Sequence, residues 1–257
     1  MRIRISRRNF LGAATGAAAA VLSLGPIGRE TFAYPLKRDL DCAVLDLDSC
    51  CALRESWHGY HAALNDQHPR LTQADLSSLG RSLVVIVPGM GMLEPATARN
   101  LSCLLETGTT LLLESGAGFL GPSEFAVHQK MLHQYFGVSI DAPVDLWPED
   151  FPGDSPATRR AARFSRNSRG RQKSVPYIDY FWPREESVRD FRYLTPVSAR
   201  RGEIVGRFGA LPVALRRKTG NGTLIFLGSP LGPALHAGDR EARSWLASVL
   251  ASARESL

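Results

Sequence analysis

Arg81-Ser-Leu-Val-Val-Ile-Val-Pro-Gly-Met-Gly91 is the stretch that decides the fold class. Its middle is an unbroken run of leucine and β-branched residues, the pattern of a strand buried on both faces rather than one exposed to water on one side. Pro88 and Gly89 are expected to end that strand, because proline donates no ladder hydrogen bond and glycine weakens a strand. A strand of this kind needs helices on both faces, and helical periods do flank it. Upstream, Cys42-Ala-Val-Leu-Asp-Leu-Asp48 reads as a first strand, and the stretch from about Cys51 to Leu64 as a helix. Downstream, Pro95 suits the first turn of a helix, Leu101, Leu104 and Leu105 share one face, and Gly108 stops it. Thr109-Thr-Leu-Leu-Leu113 is the next strand, leading into Glu114-Ser-Gly-Ala-Gly118 and a helical stretch through Tyr135.

Beyond this alternating half the pattern changes. Between about residues 141 and 176 the chain is rich in Pro, Asp, Ser and Arg, which reads as a long irregular surface excursion. Its arginines, Arg159, Arg160, Arg163, Arg166, Arg169 and Arg171, have a single aromatic among them, Phe164, and read as a solvated loop, with an anionic partner as the alternative. The aromatic cluster Pro176-Tyr-Ile-Asp-Tyr-Phe-Trp182 reads as packing under that excursion, with ligand stacking as the alternative. Leu211 to Arg217 and Thr223 to Leu227 flank Gly220-Asn-Gly222, the signature of an antiparallel hairpin. A closing helix places Ala242, Trp245, Leu246, Val249 and Leu250 on one face, with Asp239 as its cap. The expectation is a single α/β domain over 34–257 with a mainly parallel sheet and a C-terminal antiparallel hairpin plus helix.

The N-terminus carries a different message. Ser6-Arg-Arg-Asn-Phe-Leu-Gly12 resembles the twin-arginine export consensus S-R-R-x-F-L-K, departing only at its last position. It precedes a weakly apolar run from Leu11 to Leu24, and Thr31-Phe-Ala33 offers small residues where a signal peptidase reads, so residues 1–33 are expected to be a cleaved signal. An uncleaved membrane anchor is the alternative, since the run approaches the ~18 residues that span a bilayer. The first reading implies a periplasmic or otherwise exported protein, passage through the twin-arginine translocase, and no stable membrane insertion after cleavage. Residues 1–33 hold five Arg and one Glu, so without them the formal charge falls from +6 to +2. That balance gives no electrostatic case for nucleic acid. The four cysteines, Cys42, Cys50, Cys51 and Cys103, match no zinc or iron–sulfur spacing, and no metal or cofactor is expected. Cys42 and Cys103 are the pair most able to meet, with two free thiols as the favoured state.

In an open parallel sheet, ligands bind beyond the carboxyl ends of the strands. The loops there run from Asp46 to Cys51, through Pro88-Gly-Met-Gly91, and from Glu114 to Gly118. Val84-Val-Ile-Val-Pro-Gly-Met-Gly91 and Leu112-Leu-Glu-Ser-Gly-Ala-Gly118 resemble two motifs of the class I glutamine amidotransferase-like superfamily: the strand leading into an oxyanion-hole Pro-Gly-Gly, and the turn G-x-C-x-G that carries the nucleophile. The resemblance implies a flavodoxin-like three-layer sandwich. It also implies a lost activity, because amide transfer needs a cysteine thiolate on that turn and the turn holds Ser115, Gly116 and Ala117. The expected function is therefore a non-catalytic binding or accessory module for a small-molecule ligand, its cleft lined by Asp46, Asp48, Gly89, Met90, Gly91, Glu114, Ser115 and Gly116. Two enzymatic alternatives stay open. One is a serine hydrolase with Ser115 as nucleophile, His236 as base, Asp239 as orienter and the Gly89 and Gly91 amides around the oxyanion. The other rests on Leu45-Asp-Leu-Asp48, which resembles the first motif of haloacid dehalogenase-type phosphatases, with Asp46 as nucleophile and Asp48 as acid/base. Trp57, His58, Tyr60 and His61 follow the first loop on a predicted helix and stand near the same edge.

Overall fold

The apolar run around Ile86 becomes the third strand of a nine-stranded sheet. A computed structural model describes residues 42–47, 53–65, 68, 70–77, 79, 84–115, 119, 121–146, 176–190, 193–198 and 202–255. In chain order the elements are β1 (Cys42–Leu45), α1 (Arg54–Ala63), β2 (Arg70–Leu71), β3 (Val84–Met90), α2 (Pro95–Glu106), β4 (Thr110–Ser115) and α3 (Pro122–Met131). They continue with β5 (Val144–Asp145), β6 (Tyr177–Tyr180), β7 (Glu186–Arg189), β8 (Tyr193–Leu194), β9 (Glu203–Phe208), β10 (Leu211–Thr219), β11 (Gly222–Leu227), α4 (Gly232–His236) and α5 (Arg240–Glu255).

The sheet runs β2-β1-β3-β4-β11-β10-β9-β6-β7 and is open, with β2 and β7 at its edges. The first five strands pair in parallel, the last four antiparallel. The fold is thus α/β with a mixed sheet. Alternation along the strands divides the core in two. Val84, Ile86, Leu112 and Ile225 face α1, α4 and α5, where they meet Tyr60, Leu235, Trp245 and Val249. Val85, Val87, Leu111, Leu113 and Phe226 face α2 and the helical turn Leu132–Phe136 that follows α3, where they meet Leu101, Leu105, Leu132 and Phe136. Helices therefore cover both faces of the parallel half, as the unbroken apolar run of β3 requires.

Three local expectations need correction. Pro88 and Gly89 do not end β3. The strand continues to Met90 through an irregularity in its pairing with β4 between Val87 and Met90, with Gly89 at φ +51°. A bulge is where a strand tolerates both residues, since proline then withholds no ladder bond and glycine accepts the left-handed backbone. The aromatic segment at 177–182 is not loop packing but strand β6 and its exit: Ile178 and Tyr180 are buried while Tyr177 and Phe181 are exposed. Tyr180 packs on Trp245 with ring centroids 4.4 Å apart, and the Trp245 indole N–H donates to the Trp182 carbonyl at 2.9 Å. Within the expected excursion, Val144 and Asp145 pair with Leu194 and Tyr193 in a small two-stranded sheet. The arginine-rich run from Arg159 to Arg171 lies outside the described residues, as does the entire N-terminal export segment.

Other features follow the sequence. Gly220 turns the β10–β11 hairpin at φ +58°, and the Ala242 amide donates to Asp239 Oδ1 at 2.9 Å, capping α5. Cys42 and Cys103 are free thiols, the first buried and the second exposed. Burial pushes the Cys42 thiol up to about 12, which keeps it protonated and inert.

Candidate functional site

The carboxyl end of β4 delivers two adjacent polar residues to opposite faces of the sheet. Glu114 follows Leu112 toward the α1/α4 layer, and Ser115 follows Leu113 toward α3. Both are completely buried. This alternation governs everything the two side chains can reach.

Glu114 is the centre of a convergent set of donors. Its Oε1 accepts from the Ser56 hydroxyl on α1 and from the Gly89 amide at 3.3 Å. Its Oε2 accepts from the amides of Leu231 and Gly232 at 3.2 and 3.1 Å, where α4 begins. The buried Tyr60 hydroxyl lies against the same carboxyl group without completing hydrogen-bond geometry, and burial followed by the Glu114 charge pushes its pKa well above 10. Burial raises the Glu114 carboxyl as well, opposed by the bonds from Ser56, Gly232 and Gly89. One side chain thus ties α1, the β3 bulge and the start of α4 to the end of β4. Chemically it fills the strand-end crevice with the protein's own carboxyl group.

Ser115 forms the second feature. Its Oγ lies 3.1 Å from Nε2 of His128 on α3, and both residues are fully buried. Burial pushes the His128 imidazole down from 6.5 to about 4, with the Gly91 backbone acting the other way. His128 is therefore neutral in the folded protein at neutral pH. In the unfolded chain it protonates near 6.5. Between those two values the unfolded state holds the extra proton, so stability falls as pH is lowered through the window. About 2 kcal/mol should be lost between pH 6.5 and 4.5 on this account. Glu114, with its raised pKa, acts in the opposite sense: its contribution is fully present at low pH and fades as pH rises. Comparison with His128→Gln therefore isolates the histidine. Urea unfolding across that range should show the variant lacking the decline seen in the parent, and parallel curves for the two would assign it elsewhere.

The remaining residues of the expected cleft do not assemble into one site. His236 is on α4, on the Glu114 face, exposed, with its ring 6.1 Å from that of His58. Ser115 points to the other face, so the Ser115–His236 pair is ruled out by strand alternation, and Asp239 is engaged as a helix cap rather than an orienter. The Gly89 amide, expected to be free for an oxyanion, is bound to Glu114, and Met90 and Gly91 are buried. Asp46 forms an ion pair with Arg70 while its amide donates to the Leu71 carbonyl at 2.7 Å, so it is anchored to β2. That geometry leaves no open nucleophile for the phosphatase chemistry, and its partner Asp48, like Gly116, lies outside the described residues. Arg70 also lies over the Trp57 ring at 5.2 Å. Among the described residues no group of three or more His, Cys, Asp or Glu is placed to hold a metal ion. No helix there is long and apolar enough to cross a membrane.

Sequence reading missed Ser56 and His128. Ser56 sits one turn before Gly59 on α1, and the small pair on one face was the available sign of close packing; for His128, thirteen residues from its partner across a loop, no sequence signal exists.

No protein-family model matches this sequence, and no curated protein matches it. Solved structures do share its fold. A β-galactosidase from Bacillus circulans sp. alkalophilus is 19% identical, with a TM-score of 0.50, over 80% of this chain and 31% of its own. α-L-Fucosidase isoenzyme 2 from Paenibacillus thiaminolyticus is 12% identical, with a TM-score of 0.50, over 85% of this chain and 33% of its own. A cytoplasmic protein from Salmonella typhimurium LT2 is 10% identical, with a TM-score of 0.53, over 82% of this chain and 98% of its own. The chain spans about a third of the length of the two glycosidases, at 31% and 33%, and nearly all of the Salmonella protein. At such identities the likeness is one of fold. It nevertheless overturns the expected kinship with the class I glutamine amidotransferase-like superfamily and the reading as a non-catalytic module, because the activities named among these neighbours are glycosidic. The amidotransferase-type cleft that those expectations required is the crevice that Glu114 closes.

Proposed function

We propose that this protein acts on carbohydrate, as a glycoside-hydrolase-related α/β protein that leaves the cytoplasm by the twin-arginine route. The observation that supports the first part is the fold shared with a β-galactosidase and an α-L-fucosidase across 80% and 85% of this chain. Hydrolysis itself is part of the proposal, since the chain corresponds to one segment of those enzymes. Glycoside hydrolysis uses two carboxyl groups flanking the scissile bond. Glu114 is occupied by its four donors and Asp46 by Arg70, so a hydrolytic pair would draw on other carboxylates. The finer description of the fold as a flavodoxin-like three-layer sandwich belongs to the same proposal. Its support is the parallel order β2-β1-β3-β4-β11, which follows the 2-1-3-4-5 sequence of doubly wound sheets. Export rests on Ser6-Arg-Arg-Asn-Phe-Leu-Gly12 and the apolar run that follows it.

One experiment addresses both parts. The full chain is expressed in a host with an active twin-arginine translocase, and the exported fraction is assayed with aryl β-galactosides and α-L-fucosides and by thermal shift with oligosaccharides. The expected result is turnover, or a rise in melting temperature of a few degrees with a saccharide, in the exported fraction, and retention of the Arg7→Lys/Arg8→Lys variant in the cytoplasm. Absence of both turnover and shift sinks the carbohydrate reading. Export of the double variant at the parent level sinks the twin-arginine reading.

A further inference from the structure

With the carboxyl end of the parallel strands closed by Glu114, the opposite end of the sheet is open. A cleft of about 320 Å³ lies where β4, β9 and β11 begin and β10 ends, lined in part by Trp182, Glu203, Arg216, Lys218, Thr223 and Ser252. Arg216 and Lys218 are two apart on β10 and so project to the same face. The Arg216 guanidinium is fixed: it donates to Glu203 at 2.8 Å and stacks 4.5 Å over the Trp182 ring. Lys218 is exposed and has no hydrogen bond or ion pair among the described residues. Arg217, on the other face, is turned to the Phe136 and Gly137 carbonyls, the latter at 3.2 Å. The cleft's lining thus includes a neutralised Arg216–Glu203 pair, the unmatched Lys218 ammonium, Arg217 engaged by backbone carbonyls, the Trp182 ring and two hydroxyls from Thr223 and Ser252.

That inventory suits a polyhydroxylated ligand with one negative charge. Glu203 and the hydroxyls offer acceptors and donors for sugar hydroxyls, while Lys218 offers a point charge without a resident partner. We propose that this cleft binds an acidic saccharide, a sugar bearing a carboxylate, with the carboxylate at Lys218 and the ring hydroxyls at Glu203, Thr223 and Ser252. The inference rests on the carbohydrate reading above and names the ligand class for a site at the opposite end of the sheet from Glu114.

The test is isothermal titration of the purified protein with galacturonate oligomers, neutral galactose oligomers of the same length, and inorganic phosphate, each against the parent and Lys218→Gln. The acidic oligomer should bind at least tenfold more tightly than the neutral one, with affinity falling as salt rises and about tenfold weaker in the variant. Lys218 is exposed, so an unchanged melting temperature in Lys218→Gln verifies that the loss is local. Equal affinity for acidic and neutral oligomers, unaffected by the variant, overturns the inference and leaves the carbohydrate reading standing. Phosphate binding that depends on Lys218 with no saccharide bound overturns both.

Discussion

Replacing Glu114 by alanine is expected to remove about 3–5 kcal/mol of stability, the range seen when one partner of a buried charged network is deleted. The variant leaves the Gly89, Leu231 and Gly232 amides and the Ser56 hydroxyl buried with their acceptor gone. Each such orphan costs about 1–3 kcal/mol, reduced where water enters the vacated space. Glu114→Gln separates charge from shape. Its amide replaces one acceptor oxygen by an NH2 group, which must face either Leu231 and Gly232 or Ser56 and Gly89. The second orientation is better, because a serine hydroxyl can turn and accept while an amide N–H cannot. The glutamine variant should therefore fall between the parent and alanine, with a loss of about 1–3 kcal/mol. Urea unfolding of the three proteins at neutral pH reads the order directly. An alanine variant within 1 kcal/mol of the parent would mean that water already satisfies these donors and that Glu114 organises nothing.

The layered α/β core was legible because it is written in local periodicity. The run around Val84–Val87, the leucines of α2 and the face of α5 each specify an element within a dozen residues, and their burial follows. The site was not legible, for the same reason in reverse. Glu114 draws its partners from Ser56, Gly89, Leu231 and Gly232, up to 118 positions away, so no window of sequence contains them. Ser115 and His236 looked compatible on paper because sequence spacing does not report which side of a sheet a residue faces. Once β4 is known to end at Ser115, alternation alone sends Glu114 toward α4 and Ser115 toward α3. The bulge at Pro88-Gly89 hid in a dipeptide that ordinarily ends strands, and its use is visible only from the Gly89 amide reaching Glu114. The antiparallel extension through β9, β6 and β7 was missed because half of its residues are polar or exposed, and β6 looked like an aromatic loop.

A second large loss is expected from a single methyl group where α1 meets α4, at the glycine whose amide Glu114 holds or at its neighbour across the contact. Helices α1 and α4 touch backbone to backbone at Gly59 and Gly232. A Cβ on Gly59 would stand 1.9 Å from the Gly232 carbonyl oxygen, and one on Gly232 would stand 2.2 Å from the Ser56 Cα. Neither glycine has the left-handed backbone that would itself disfavour alanine. Alanine is in fact the better helix former, by about 1 kcal/mol. The clash must exceed that gain to destabilise, and it does so because the obstructing atoms are main chain, which cannot rotate away. Gly59→Ala and Gly232→Ala should each lower stability by more than about 2–3 kcal/mol, at the upper end of overpacking effects, while Gly121→Ala, whose Cβ would meet nothing within 4 Å, should change it by less than about 0.5 kcal/mol. The mechanism makes a sharper demand. If α4 shifts to admit the methyl group, its first amides leave Glu114, so part of the carboxylate's contribution is already lost in Gly59→Ala. The double variant Gly59→Ala/Glu114→Ala should then be less damaged than the sum of its parents by about 1 kcal/mol or more. Strict additivity in chemical unfolding would show that helix contact and carboxylate clamp are independent, and that the crevice is closed by two devices rather than one.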